Sequence, residues 1–258
     1  MPFGGGKRSV RGNAVSFSSE LLSEVARLLS DRVAFLVQPS MRDVLVLGSR
    51  DGNVTARVRS CLPDGCVIYQ CDVAYSIICT TLQYGYGIVV NDEHLPFKDE
   101  SFDFVVSNLV LHNVTDHLSV FRKTFSILRC GSVFVAALLG SKTLLGIKKA
   151  MIAADGERIV PRIQSFSRVH DVIDYMHSCG FADVVADMSI VEMQYRDLYH
   201  LFRDMKDIGE ESIFLENESL SEYAIGKAWD SYKKSLCMEL AEVVPVQFEI
   251  ILVMGKKK

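Results

Sequence analysis

The run Val44-Leu45-Val46-Leu47, followed by Gly48-Ser49-Arg50-Asp51-Gly52 and then Asn53-Val54, constrains the fold of this chain more than any other stretch. An unbroken aliphatic run that gives way to a glycine-bounded turn and then to a helical pattern is how a buried parallel strand hands over to a helix whose N-terminus faces a ligand. The stretch therefore predicts the first strand and nucleotide loop of an α/β domain. Loops of that kind space three glycines so that backbone can approach the ligand. Here Arg50 stands at the middle glycine's place, where a positive φ would strain a side-chain-bearing residue by about 1–2 kcal/mol.

The same alternation continues downstream. A helical face of Val54, Val58 and Leu62 ends at Pro63-Asp64-Gly65, which is turn chemistry, and Cys66–Cys71 reads as a second strand with Asp72 at its end. Helix signals over Tyr75–Leu82 lead through Gly85-Tyr86-Gly87 into a third strand, Ile88–Val90, ending at Asn91-Asp92. Strand, helix, strand, helix, strand is two βαβ units, hence a parallel sheet with right-handed crossovers. Further strands are predicted at Phe102–Val106, Val133–Leu138, Val184–Val191 and Val246–Val253. The intervening helices are one capped by Thr115 or Asp116 and stopping before Gly131, one starting at Ser167, and two at about 195–208 and 218–240. An amphipathic helix starting at Ser18 or Ser19 precedes the first strand. The expectation is an α/β, Rossmann-like, seven-stranded, mostly parallel sheet with helices on both faces. A loose arm at 1–16 would precede a single domain at 17–258, with helical insertions at about 141–165 and 195–240.

Composition narrows the class of partner. A net charge of −4, with 49% hydrophobic and 23% charged residues in 258, describes a globular chain without the basic face that nucleic acid requires. No run approaches the roughly 20 apolar residues of a membrane span, and the first residues lack the apolar core of a signal peptide, so a cytoplasmic location is expected. Seven cysteines in apolar settings, with no C-x-x-C pair, read as reduced core residues. His170, His177 and His200 lie in separate segments and predict no metal site.

In an open α/β sheet, ligands settle outside the carboxyl ends of the strands. Gly48, Ser49 and Gly52 after the first strand, Asp72 after the second, Asp92 after the third and Ser107-Asn108 after the fourth are the places to search. An acid after the second strand is placed to accept both ribose hydroxyls of an adenosine, and Asp92 to accept from an adenine amino group. His112 is either a general base or a structural histidine at a strand end. Trp229 and Tyr232 line an acceptor pocket or belong to the core.

The block Asn91-Asp92-Glu93-His94-Leu95-Pro96-Phe97 through Ser101-Phe102-Asp103-Phe104-Val105-Val106-Ser107-Asn108-Leu109-Val110-Leu111-His112 resembles the motif preceding and forming the fourth strand of class I S-adenosylmethionine-dependent methyltransferases. Within that superfamily it is most similar to the branch of the biotin-pathway malonyl-carrier-protein methyltransferases and the methyltransferase-like assembly factor of respiratory complex I. The likeness continues through Ser126–Phe134 and around Met205–Gly209, over about residues 20 to 255. The resemblance implies S-adenosylmethionine as cofactor and S-adenosylhomocysteine as product. Gly48, Ser49, Arg50 and Gly52 would form the loop, Asp72 with Val73 would hold the ribose, Asp92 with Glu93 would flank the adenine, and Asn108 with His112 would border the methionine and the substrate entrance.

Three positions depart from the family pattern: Val46 for an acid, Arg50 for a glycine, and Asn113 for an aromatic residue. Losing one charge-assisted hydrogen bond costs about 1.5–3 kcal/mol, which weakens a cofactor site without abolishing it. Two placements of Arg50 are open: its guanidinium pairs with the cofactor carboxylate, or it points to solvent from a collapsed loop. Two functions follow. One is methylation of a small or carrier-bound carboxylic acid, in which alignment supplies much of the rate. The other is an assembly or accessory protein that binds a protein partner or catalyses a non-methylating reaction.

Overall fold

A computed structural model describes residues 19–155, 160–215 and 221–258. The expected arm at 1–16 and the helix cap at Ser18 lie outside the described residues. The elements run α1 (Ser19–Leu36), β1 (Asp43–Leu47), α2 (Asn53–Cys61), β2 (Val67–Asp72), α3 (Tyr75–Thr81), β3 (Tyr86–Val89), β4 (Phe102–Asn108), α4 (His117–Ile127), β5 (Leu128–Leu139), α5 (Leu145–Ala154), α6 (Val169–Ser178), β6 (Ala182–Tyr195), α7 (Leu198–Asp207), α8 (Glu222–Ser235) and β7 (Val244–Lys256).

The seven strands form one sheet in the order β3-β2-β1-β4-β5-β7-β6. The first five strands are parallel. β7 runs antiparallel to both neighbours, β5 and β6. Val44, Leu45, Val46 and Leu47 are all fully buried, because β1 is central and covered on both faces. Alternation along it divides the core: Val44 and Val46 belong to the apolar cluster that α1, α2, α5, α7 and α8 enter, whereas Leu45 and Leu47 belong to the one that α4 and α6 enter. The order reverses between β1 and β4, so the crevice beyond their carboxyl ends is the topological switch point.

Several boundaries differ from the sequence expectation. β3 starts at Tyr86, so Tyr86 and Gly87 belong to the strand and not to a turn; a Cβ on Gly87 would come within 2.4 Å of Ile78, which explains the glycine without any bend. The helix capped by Asp116 does stop before Gly131, but β5 starts at Leu128 and not at Val133. α4 passes directly into β5 at Leu128, and Gly131 sits at φ 82 inside β5, where the pairing of Phe102 and Phe104 shifts register. α6 is capped by Arg168, whose backbone amide donates to Asp171, and not by Ser167. The cysteines are all free, but Cys79, Cys130 and Cys237 are exposed rather than in the core. Among the described residues no helix is long and apolar enough to cross a membrane.

Candidate functional site

The carboxyl ends of β1 and β2 are tied together by backbone. The amides of Gly48 and Ser49 both donate to the Cys71 carbonyl, at 3.0 and 2.9 Å, and the Ser49 hydroxyl donates to the same oxygen at 3.2 Å. Gly48 must be glycine twice over: its φ is 77, and a Cβ would lie 2.4 Å from the Asn108 carbonyl of β4. Asp72, almost wholly buried at the end of β2, accepts from the Arg50 amide through Oδ2 and from the Ala74 amide through Oδ1, both at 3.1 Å. Its carboxylate thus shapes the loop on one side and opens α3 on the other, with lone pairs left to spare.

Arg50 adopts φ 52, the left-handed conformation expected of a residue at a glycine's place. Its side chain does not point to solvent. It is buried, and its guanidinium donates to the Ile208 carbonyl at 2.8 Å, to the Leu109 carbonyl and to the carboxylate of Glu210. The Glu210 side chain is equally buried, and the two form an ion pair. The other Glu210 oxygen accepts from Asn113 Nδ2 at 2.9 Å and lies 3.0 Å from His112 Nε2. His112 Nδ1 accepts from the Leu139 amide at 3.4 Å; because an amide can only donate, the ring proton sits on Nε2 and is directed at Glu210.

Local chemistry explains why Glu210 arrives there. α7 ends in a Schellman turn, with Gly209 at φ 77, its amide on the Lys206 carbonyl, and the Glu210 amide on the Met205 carbonyl at 2.7 Å. That turn points residue 210 back at the sheet. Sequence reading missed Glu210. Its signals were the glycine stop after an amphipathic helix and a single arginine in a glycine loop, and nothing in the spacing paired them across 160 positions.

The remaining candidates divide. Asn108 Nδ2 donates to the Gly48 carbonyl at 3.2 Å, while its Oδ1 is buried without a hydrogen-bond partner among the described residues. Asp92 is buried beyond β3. Glu93 accepts from the Thr115 amide, so it fastens its own loop to the start of α4. Val73 lies between Asp72 and the first residues of α3, and Gly52, at φ 82, opens α2. Trp229 and Tyr232 are core-packed on α8, away from Asp72 and Asp92 in the contacts they make: Tyr232 donates to the Pro245 carbonyl at 2.7 Å. Among the described residues no group of His, Cys, Asp and Glu could hold a metal ion.

With the geometry in view, the likeness to known proteins can be placed on it. A family model described as a methyltransferase domain matches residues 45–136, from the middle of β1 to the middle of β5. The fold superposes on BH2331 of Bacillus halodurans with a TM-score of 0.62 at 14% identity, over 91% of this chain and 99% of that one. The matched segment and the fold make the chain similar to class I methyltransferases. A second superfamily structure, phosphoethanolamine N-methyltransferase 2 of Haemonchus contortus in complex with S-adenosyl-L-methionine, covers 91% of this chain and 53% of its own, with a TM-score of 0.54 at 15% identity.

Among curated relatives, the arginine-hydroxylase NDUFAF5 of Mus musculus is 26% identical over 74% of this chain and 57% of its own length. The malonyl-[acyl-carrier protein] O-methyltransferase of Nitrosospira multiformis is 33% identical over 45% of this chain and 37% of its own. The chain spans about half the length of the NDUFAF5 proteins it matches. The superfamily match ends within β5, so it includes Arg50 and Asp72 and leaves Glu210 outside.

Proposed function

We propose that this chain is an accessory protein on the methyltransferase scaffold, which works by binding a protein partner and does not turn over S-adenosylmethionine. The observation that carries this reading is the buried Arg50–Glu210 ion pair. The adenosine end of the site suits the cofactor: Asp72 keeps acceptor capacity for ribose hydroxyls beside its two backbone bonds, and Asp92 is buried nearby. The methionine end does not. Between Asn108 and His112, which by the resemblance border the methionine and the substrate entrance, the Arg50 guanidinium is bonded to the Leu109 carbonyl, and Glu210 lies against His112. Admitting a zwitterionic ligand there requires parting two buried charges, each of which then needs a new partner.

NDUFAF5, a relative not named as a methyltransferase, supports a role other than methyl transfer. A second reading, methylation of a carrier-bound carboxylic acid, is favoured by Asn108 Oδ1, an acceptor at the methionine border with no partner among the described residues, and by the malonyl-carrier-protein relatives. Incubation with S-adenosylmethionine and malonyl-acyl-carrier protein, followed by mass spectrometry for S-adenosylhomocysteine, decides between them. No product, together with no thermal shift at millimolar S-adenosylmethionine, is expected; turnover above background by the wild-type chain overturns the accessory reading.

A further inference from the structure

A groove with a volume of about 330 Å³ opens between α7 and α8. Three carboxylates line it, Asp197, Glu222 and Asp230, and among the described residues no basic side chain does. None of the three has an ion-pair partner among the described residues; Asp197 uses one oxygen to cap α7 through the His200 amide, at 2.7 Å. Between the acids lie two aromatic side chains, Tyr199, half exposed, and Trp229. Leu198 and Ile225 complete an apolar floor.

The wall supplied by α8 follows from helical spacing. Glu222, Gly226 and Asp230 recur every four residues, with Ile225 and Trp229 between them, so one stripe of the helix carries acid, apolar, bare backbone, aromatic and acid in succession. Gly226 is the telling member. A glycine inside a helix costs about 1 kcal/mol relative to alanine. No packing among the described residues compels it, because a Cβ at this position would meet none of their atoms within 4 Å. The glycine leaves the middle of the groove bare.

We propose that this groove docks a basic segment of the partner protein, one arginine or lysine side chain lying against Trp229 and Tyr199 with its cationic head facing Glu222, Asp230 and Asp197. The inference rests on the partner-binding reading and names its surface. Charge complementarity selects the occupant: unpaired carboxylates around aromatic faces attract a cation with an apolar stem, and repel acidic segments.

Trp229 is the chain's single tryptophan, so its emission reports on the groove directly. Titration of the full chain with penta-arginine at low salt is expected to change that emission saturably, and penta-glutamate is expected to leave it unchanged. The pair Glu222→Gln and Asp230→Asn weakens binding about tenfold or more. Gly226→Leu, which fills the floor with a better helix former, abolishes the response while the melting temperature stays level or rises. An unresponsive wild-type chain overturns the proposal, and so does a Gly226→Leu chain that is folded and still binds. Formation of S-adenosylhomocysteine would overturn the accessory reading without touching this signal, so the two failures are distinguishable.

Discussion

The carboxyl ends of β2 and β1 lie side by side in the sheet and have been put to different uses. At the end of β2 an acid, Asp72, is held by two backbone amides and keeps acceptor capacity, as a ribose site requires. At the end of β1 a cation replaces small, uncharged backbone, and it is neutralised from within the chain by Glu210. One edge of the crevice keeps acceptor capacity open, and the other supplies its own counter-charge. A buried charge is tolerable only when paired and hydrogen-bonded, so Arg50 and Glu210 stand or fall together.

That contrast can be broken most forcefully at Glu210. Glu210→Ala leaves the Arg50 guanidinium buried with only carbonyl partners and is expected to cost about 3–5 kcal/mol in urea denaturation. Adding Arg50→Gly should recover most of the loss, because removing both charges removes the penalty; a single variant costing no more than the double would show that the pair is not coupled. The double variant is also expected to gain thermal stabilisation by S-adenosylmethionine that the wild type lacks, since it vacates the methionine end while keeping Asp72.

Asp72→Ala comes next, at about 1–3 kcal/mol, because the amides of Arg50 and Ala74 lose their acceptor in a buried setting. If its effect matched that of Glu210→Ala, the distinction between the two strand ends would dissolve. The smallest effect belongs to α7, whose C-terminal turn leads to Glu210. Burial raises the Asp204 carboxyl above the ordinary carboxylate range, with His200 opposing and Asp207 adding to the shift. The folded state then binds its proton more tightly than the unfolded state. Stability is therefore lost as pH rises from the unfolded carboxylate range through the raised folded value. Asp204→Asn should raise the melting temperature slightly at neutral pH and leave it unchanged in acid below that range.

The parallel sheet was legible because its strands are short aliphatic runs punctuated by turn residues, and Asp72, Asp92 and Asn108 were legible because each follows such a run. Arg50 was recognised as out of place, and its positive φ was foreseeable from the glycine position it fills. Its partner was not. Glu210 follows a glycine helix stop, a position that in isolation is solvent-facing, and only the packing of α7 against the sheet turns it inward. Likewise, Trp229 and Tyr232 were ambiguous in sequence because an amphipathic helix presents aromatic residues to a core and to a pocket with the same periodicity. Trp229 does both, buried on one side and lining the groove on the other.

The separation of 160 positions between Arg50 and Glu210 also sets an order of events in folding. The β1 loop cannot neutralise its arginine until α7 and its glycine turn have been made and docked, and contacts this distant in sequence close late. An emerging chain that has already formed β1, α2 and β2 would still carry an uncompensated cation at the heart of its sheet edge. The N-terminal half is thus obliged to wait for the C-terminal half, and a chain cut short before Glu210 would be left with an unfinished first loop.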